Sequence, residues 1–139
     1  MTSLPPFHLA IPVHDLEKAH DFYGNLLSCE QGRSSSQWID YNFFGHQLVV
    51  HLNKNLNNNT FNTVDQKEIP VPHFGLVLDW KYWQLLKEKL EKNKTDFIVN
   101  PYIRFKGEIG EQATMFLLDP SGNALEFKAF KDINQLFAN

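Results

Sequence analysis

Two imidazoles and one carboxylate in this chain, those of His8, His73 and Glu126, have the chemistry to share a divalent metal ion. Neutral imidazole nitrogen and carboxylate oxygen bind first-row divalent ions, and two His with one carboxylate leave positions open to water, substrate or O₂. A further imidazole, His51, lies in a strand-like run of its own. Side chains alternate across a strand, so each group can be assigned a face. In the first run His8, Ala10 and Pro12 share one face, and Phe7, Leu9 and Ile11 the other. The same count sets His73 and Gly75 against Phe74, Leu76 and Leu78, and sets Glu126 and Lys128 against Leu125 and Phe127. It also sets His51 against Leu48, Val50 and Leu52. The apolar faces are expected to pack on helices, which turns all four groups to an inward surface and brings His8, His73 and Glu126 into one cavity. Yet a lone His on a strand is more often a hydrogen-bonded structural residue than a ligand. Glu126 beside Lys128 equally fits a surface ion pair. On the residue pattern alone the two readings stand level.

The elements that must position these groups come in two matching sets. Each His opens a strand-like run and is followed within seven residues by an Asp placed to cap a helix, Asp15 or Asp79. Leu16, Ala19, Phe22, Tyr23, Leu26 and Leu27 recur at helical spacing after the first, and Trp80, Trp83, Leu86 and Leu90 after the second. Short strands follow each helix. Gln37 to Phe44 and Gln47 to Leu52 flank a turn at Phe44-Gly45-His46. Thr114 to Leu118 and Ala124 to Phe130 flank Asp119-Pro120-Ser121-Gly122-Asn123, a strong hairpin signal because Pro sets φ early and Gly admits a positive φ later. One module thus runs from about residue 5 to 53 and a second from about 70 to 130, with a linker or surface loop at about 54–69 and a tail at 131–139. The expected architecture is α+β, a single domain in which two paired modules form a curved, incompletely closed mixed sheet around the cavity.

Bulk properties narrow the function classes. At 139 residues with 42% hydrophobic and 21% charged residues, the composition is that of an ordinary globular domain. A net charge of −3 without a basic stripe disfavours nucleic acid, which needs clustered Lys and Arg. No apolar run has the length of a membrane span, and no basic-then-apolar leader opens the chain. With a single cysteine, Cys29, no intramolecular disulfide can form, which fits a reducing, cytoplasmic setting. A homodimer is expected, since curved sheets leave edges that need cover.

In five stretches (Pro6–Val13, Phe44–Val49, Pro70–Gly75, Gly110–Phe116 and Asp119–Lys128) the chain resembles the vicinal oxygen chelate superfamily. That superfamily includes glyoxalase I, extradiol ring-cleavage dioxygenases and fosfomycin-resistance proteins, and this chain looks most like a group of predicted extradiol dioxygenases. The resemblance implies paired βαβββ modules with a metal between them and carries the ligand role onto His8, His73 and Glu126. Glyoxalase I-like members use a Glu as fourth ligand in the strand where this chain has His51, so the three-ligand set looks more like the dioxygenases. By that resemblance His51 is the candidate acid–base residue, and the implied reaction is an Fe(II)-dependent oxygenation of a small substrate that chelates through adjacent oxygens. A non-redox lyase, isomerase or transferase using Mn, Ni or Zn, or a binding protein without chemistry, are the alternatives on the same fold.

Residue type and, for two positions, the same alternation give pocket candidates. Gln112 and Thr114 share the inward parity, and Arg104 could pair with an acidic substrate or with a neighbouring carboxylate. Trp38, Tyr41 and Phe43 could wall a pocket for a planar substrate, although such aromatics are more often core. His14 and His20 are expected to be solvated, and His46 to be structural.

Overall fold

The computed structural model describes residues 4–55 and 60–139. The chain divides into two compact units, residues 1–58 with 119–123, and residues 59–118 with 124–139. Each contains a four-stranded mixed sheet with a helix following its first strand. This is the expected α+β pattern of two βαβββ modules, and neither sheet closes on itself.

In the first unit β1 (His8–Val13), β2 (Glu30–Ser34), β3 (Trp38–Phe43) and β4 (His46–Leu52) lie in the order β1-β4-β3-β2. β1 runs parallel to β4, and the other pairs are antiparallel. The turn between β3 and β4 has Phe44 at φ 54° and Gly45 at φ 93°, the left-handed geometry for which Gly is suited. Helix α1 (Leu16–His20) starts at Asp15, whose carboxylate accepts from the Lys18 backbone N–H at 3.0 Å, and continues as a π-helical segment, Asp21–Leu26. Val13, Ala19, Tyr23, Tyr41, Leu48 and Val50 are all but fully buried in this unit's core. The Tyr23 hydroxyl donates to Asp119 at 2.7 Å, and burial first, then the adjacent carboxylate, push its pKa well up.

In the second unit β7 (His73–Leu78), β8 (Phe97–Arg104), β9 (Gln112–Leu118) and β10 (Ala124–Phe130) lie in the order β7-β10-β9-β8, with β7 parallel to β10. Helix α2 (Trp80–Lys92) begins at Asp79, which accepts from the Tyr82 N–H at 2.7 Å. Its apolar stripe, Trp83, Leu86 and Leu90, is buried, and the Trp83 indole donates to the Phe127 carbonyl at 2.8 Å. A Cβ at Gly75 would overlap the backbone carbonyl of Glu126, so Gly is what lets β7 and β10 approach at this level.

The structure departs from expectation between the modules. Where the sequence suggests a linker or loop at 54–69, β5 (Thr60–Val64) and β6 (Lys67–Val71) form an antiparallel hairpin. Its turn, Asp65-Gln66, has both residues at positive φ, 50° and 63°. The buried Ile69 of β6 packs with Val99, Phe116 and the partly buried Tyr102, so the hairpin is anchored by apolar contact that its polar composition hides. Among the described residues no helix is long and apolar enough to cross a membrane.

Candidate functional site

Cross-strand partners share a face, so the registers of the second unit define one continuous surface. Its rows are Ala124 with His73 and Leu118, Glu126 with Gly75 and Phe116, Lys128 with Val77 and Thr114, and Phe130 with Gln112. β8 extends the last two rows with Tyr102 beside Thr114 and Arg104 beside Gln112. The opposite face carries Phe74, Leu76, Leu125, Phe127, Met115 and Leu117. His73, Glu126, Thr114 and Gln112 therefore share the face that alternation assigns them, turned away from the apolar set, and Arg104, at the end of β8, joins them there.

On this surface His73 and Glu126 meet. The His73 Nδ1 lies 2.7 Å from the Pro70 carbonyl. A carbonyl can only accept, so Nδ1 carries the proton and Nε2 is the free donor atom of the neutral ring. Nε2 stands 3.3 Å from Glu126 Oε1. The other carboxylate oxygen, Oε2, accepts from the buried Thr114 hydroxyl at 2.5 Å, with Lys128 Nζ at 3.9 Å. The Phe116 ring meets the imidazole edge-on at 5.0 Å. Hydrogen bonding to Glu126 raises the His73 pKa, against burial, which lowers it. For Glu126 burial pushes upward, but the hydrogen bonds from His73 and Thr114 and the Lys128 charge outweigh it, and the net shift is down. Each partner is thus held in the form that binds the other.

This arrangement fits a divalent metal on its own chemistry. A metal-binding His commonly donates its second nitrogen to a backbone carbonyl, and a metal-binding carboxylate is commonly anchored by its second oxygen. His73 and Glu126 show both features, leaving Nε2 and Oε1 directed toward one another. His8 belongs to the other unit, where its Nδ1 is 2.8 Å from Gln47 Oε1, which likewise leaves Nε2 free. The structure therefore joins two of the three expected ligands, and among the described residues no group of three or more His, Cys, Asp or Glu is gathered for an ion.

The register of the first unit relocates His51. His8 pairs with Gln47 as His73 pairs with Ala124, so the counterpart of Glu126 is Val49, a buried apolar residue. His51 pairs with Pro12 and Trp38 and corresponds to Lys128. It is exposed and shares a face with His8, but stands four residues further along, about 13 Å at the rise of a strand.

Other assignments change more. Tyr41 pairs with Leu48 and lies on the opposite face from His8, in van der Waals distance of the helical side: its ring stacks with His20 and tilts on Tyr23, and its hydroxyl bonds His20 Nδ1 at 2.9 Å. It is a buried core residue, and burial pushes its pKa up to about 12. Phe43 shares that parity and is buried, whereas Trp38 keeps the face of His51. Nor are His14 and His20 simply solvated. His14 bonds Ser121 Oγ through both its ring, at 2.7 Å, and its backbone N–H, at 2.9 Å. His46 accepts from the Phe7 N–H at 2.8 Å, a structural role as expected. Gln112 is buried, its side-chain amide 3.4 Å from the Gly110 carbonyl. Arg104 does hold a neighbouring carboxylate, that of Asp65 at the hairpin turn, with Nε to Oδ2 at 2.5 Å. Tyr102 and Asp65 carried no motif, and Pro70 lay in a matching stretch without a role of its own. Only the polar-to-apolar alternation through Glu68-Ile69-Pro70 hinted that this segment is structured.

No protein-family model matches the chain, and no curated protein does. Among solved structures, a glyoxalase/bleomycin resistance protein/dioxygenase from Alicyclobacillus acidocaldarius is 36% identical with a TM-score of 0.80, covering 96% of each chain. The fosfomycin resistance protein FosX from Listeria monocytogenes shares the fold at 17% identity and a TM-score of 0.71, over 97% of this chain and 98% of that one. A glyoxalase/dioxygenase from Nostoc punctiforme does so at 16% and 0.68, over 95% and 99%. With a relative that similar along nearly its whole length, the chain belongs to the glyoxalase/bleomycin resistance protein/dioxygenase family, within the vicinal oxygen chelate superfamily.

Proposed function

We propose that the protein is a metal-dependent oxygenase, with His73, Glu126 and His8 as the metal ligands and a small substrate that chelates the metal through adjacent oxygens. The observation that carries this reading is the His73–Glu126 pair, in which one nitrogen and one oxygen face each other while the second atom of each side chain is anchored by Pro70 or Thr114. His8 has the same preparation, with Nδ1 engaged by Gln47. Two His and one carboxylate favour Fe(II), although Mn, Ni or Zn suit the same donors. A bound divalent ion supplies Lewis acidity, lowering the pKa of chelating substrate oxygens. Thr114 fixes the Glu126 carboxylate, and the Pro70 carbonyl fixes the His73 tautomer. His51, on the face of His8 but further along, is assigned to acid–base work on the substrate and not to ligation.

Metal analysis of protein purified without chelators tests the ligand set. His73→Ala, Glu126→Gln and His8→Ala should each lose metal while keeping the far-ultraviolet spectrum of the parent. Retention of metal by all three overturns the reading. Oxygen uptake after anaerobic Fe(II) loading, across a panel of catechols, then tests the reaction. Turnover with a redox-inert ion and no oxygen uptake would assign the site to lyase, isomerase or transferase chemistry instead.

A further inference from the structure

The second unit contains a carboxylate receptor that is occupied by the chain's own side chain. Asp65, at the tip of the β5–β6 hairpin, receives three donors: Arg104 Nε and Nη2, at 2.5 and 3.4 Å from its two oxygens, and the Tyr102 hydroxyl at 2.9 Å. A guanidinium fork with a phenol beside it is a recognition geometry for a planar carboxylate. Lys67 adds positive charge, its Nζ 4.6 Å from the Tyr102 ring centroid.

Both receptor residues belong to the surface that carries His73 and Glu126. Tyr102 lies in the row of Thr114 and Lys128, one row from Glu126, and Arg104 in the row after that. With about 3.3 Å per residue along the strands and β8 two strands across from β10, Tyr102 lies about 12 Å from Glu126 and Arg104 about 16 Å, before the reach of the side chains is counted. That spacing suits a ring-sized molecule engaged at His73 and Glu126 by one end and carrying an acid group at the other.

Asp65 is not a buried strut. Its side chain is 38% exposed and Arg104 is 23% exposed, so water and solutes reach the pair. Exposed ion pairs are weak, and an external carboxylate can compete with one. The Tyr102 hydroxyl and Arg104 hold the Asp65 pKa below the usual carboxylate range, so at neutral pH the receptor always faces an ionised occupant.

We propose that Arg104 and Tyr102 form the subsite for a substrate carboxylate, and that Asp65 occupies it until the substrate displaces it. The assignment rests on the proposed use of this face as the active site, and it deepens that reading by specifying an acidic substrate, such as an aromatic carboxylic acid. Displacement frees the hairpin tip while Ile69 keeps the hairpin base packed.

The test uses benzoate and its neutral counterpart benzamide as probes, with full-length protein free of metal, and reads the Arg104 Nε resonance by NMR. Asp65→Asn removes the internal competitor, and Asn tolerates the left-handed backbone at this position. In Asp65→Asn benzoate should shift the Arg104 signal with at least ten-fold higher affinity than in the parent, and benzamide should not. Arg104→Gln in the Asp65→Asn background should abolish the difference between the two probes, and Tyr102→Phe should reduce it. Equal benzoate affinity in parent and Asp65→Asn, or equal binding of benzoate and benzamide, overturns the proposal. Faster hairpin amide exchange in Asp65→Asn with no benzoate preference would identify the contact as a structural strut. Because no metal is present, the outcome is independent of the metal-content test of the ligand set.

Discussion

Thr114→Val isolates the anchor of the Glu126 carboxylate. Val nearly conserves shape, so the change removes a hydroxyl 2.5 Å from Glu126 Oε2 from a site that is 2% exposed. A hydrogen bond to a charged group contributes about 1.5–3 kcal/mol. The lower end applies here, because the carboxylate retains 15% exposure and Lys128, now 3.9 Å away, can move toward the vacated oxygen. We therefore expect the metal-free protein to lose about 1.5 kcal/mol at pH 7. With a urea slope of about 2 kcal/mol/M, the midpoint should fall by about 0.7 M. Thr114→Ser retains the donor and removes one methyl group, for a loss of about 0.8 kcal/mol. Metal affinity separates the two variants further, since loss of a partner behind a ligand typically costs ten- to a hundred-fold. Thr114→Val should show that loss and Thr114→Ser should not. If Val matches the parent in urea, or Ser loses as much as Val, the hydroxyl is not what holds Glu126, and the reasoning fails.

Two further outcomes follow from the same surface. Gly75→Ala should destabilise by at least about 1–3 kcal/mol, because its methyl group meets the Glu126 backbone carbonyl and not a side chain that can turn away; calorimetry should show a lower Tm together with loss of metal. The stability of the metal-free protein should also carry a pH signature. The raised His73 pKa contributes stability fully present below the unfolded value near 6.5 and lost as pH rises through its folded value. The lowered Glu126 pKa contributes stability present above about 4.5 and lost as pH falls through its folded value. The pair therefore stabilises most between those two values, and His73→Gln should remove the upper flank from a plot of urea midpoint against pH and weaken the lower one, which Thr114 and Lys128 still support.

Much of the architecture is legible in the sequence because it rests on local rules. Asp15 and Asp79 cap their helices, Gly45 sits in its turn, and the alternation through Leu125-Glu126-Phe127 places Glu126 away from the helix. What the sequence hides depends on partners distant in the chain. β2, Glu-Gln-Gly-Arg-Ser, is exposed throughout and has no apolar rhythm to betray an edge strand. The β5–β6 hairpin lies in a polar stretch, and its anchors are Val99, Phe116, Tyr102 and Arg104, some 30 to 47 residues further on. The aromatic type of Tyr41 suits a pocket and a core alike, and only its register with Leu48 decides the face. Likewise the role of His51 turns on a two-residue offset from Val49, which appears only when both sheets are aligned by their parallel pairs.

The turn at Asp119–Asn123 makes the half of the protein that is synthesised first wait until most of the second half has been made. Tyr23 finds its acceptor 96 residues downstream, His14 its serine 107 downstream, and the Pro12 carbonyl the Asn123 amide 111 downstream. At about 5–20 residues per second, a ribosome needs roughly 5–20 s to supply them. Throughout that interval the nascent first unit must leave the Tyr23 phenol hydrated or bury it unpaired at about 1–3 kcal/mol. Vectorial synthesis thus cannot complete the two modules in turn, despite their repeated pattern. An amino-terminal fragment ending before residue 119 lacks these partners.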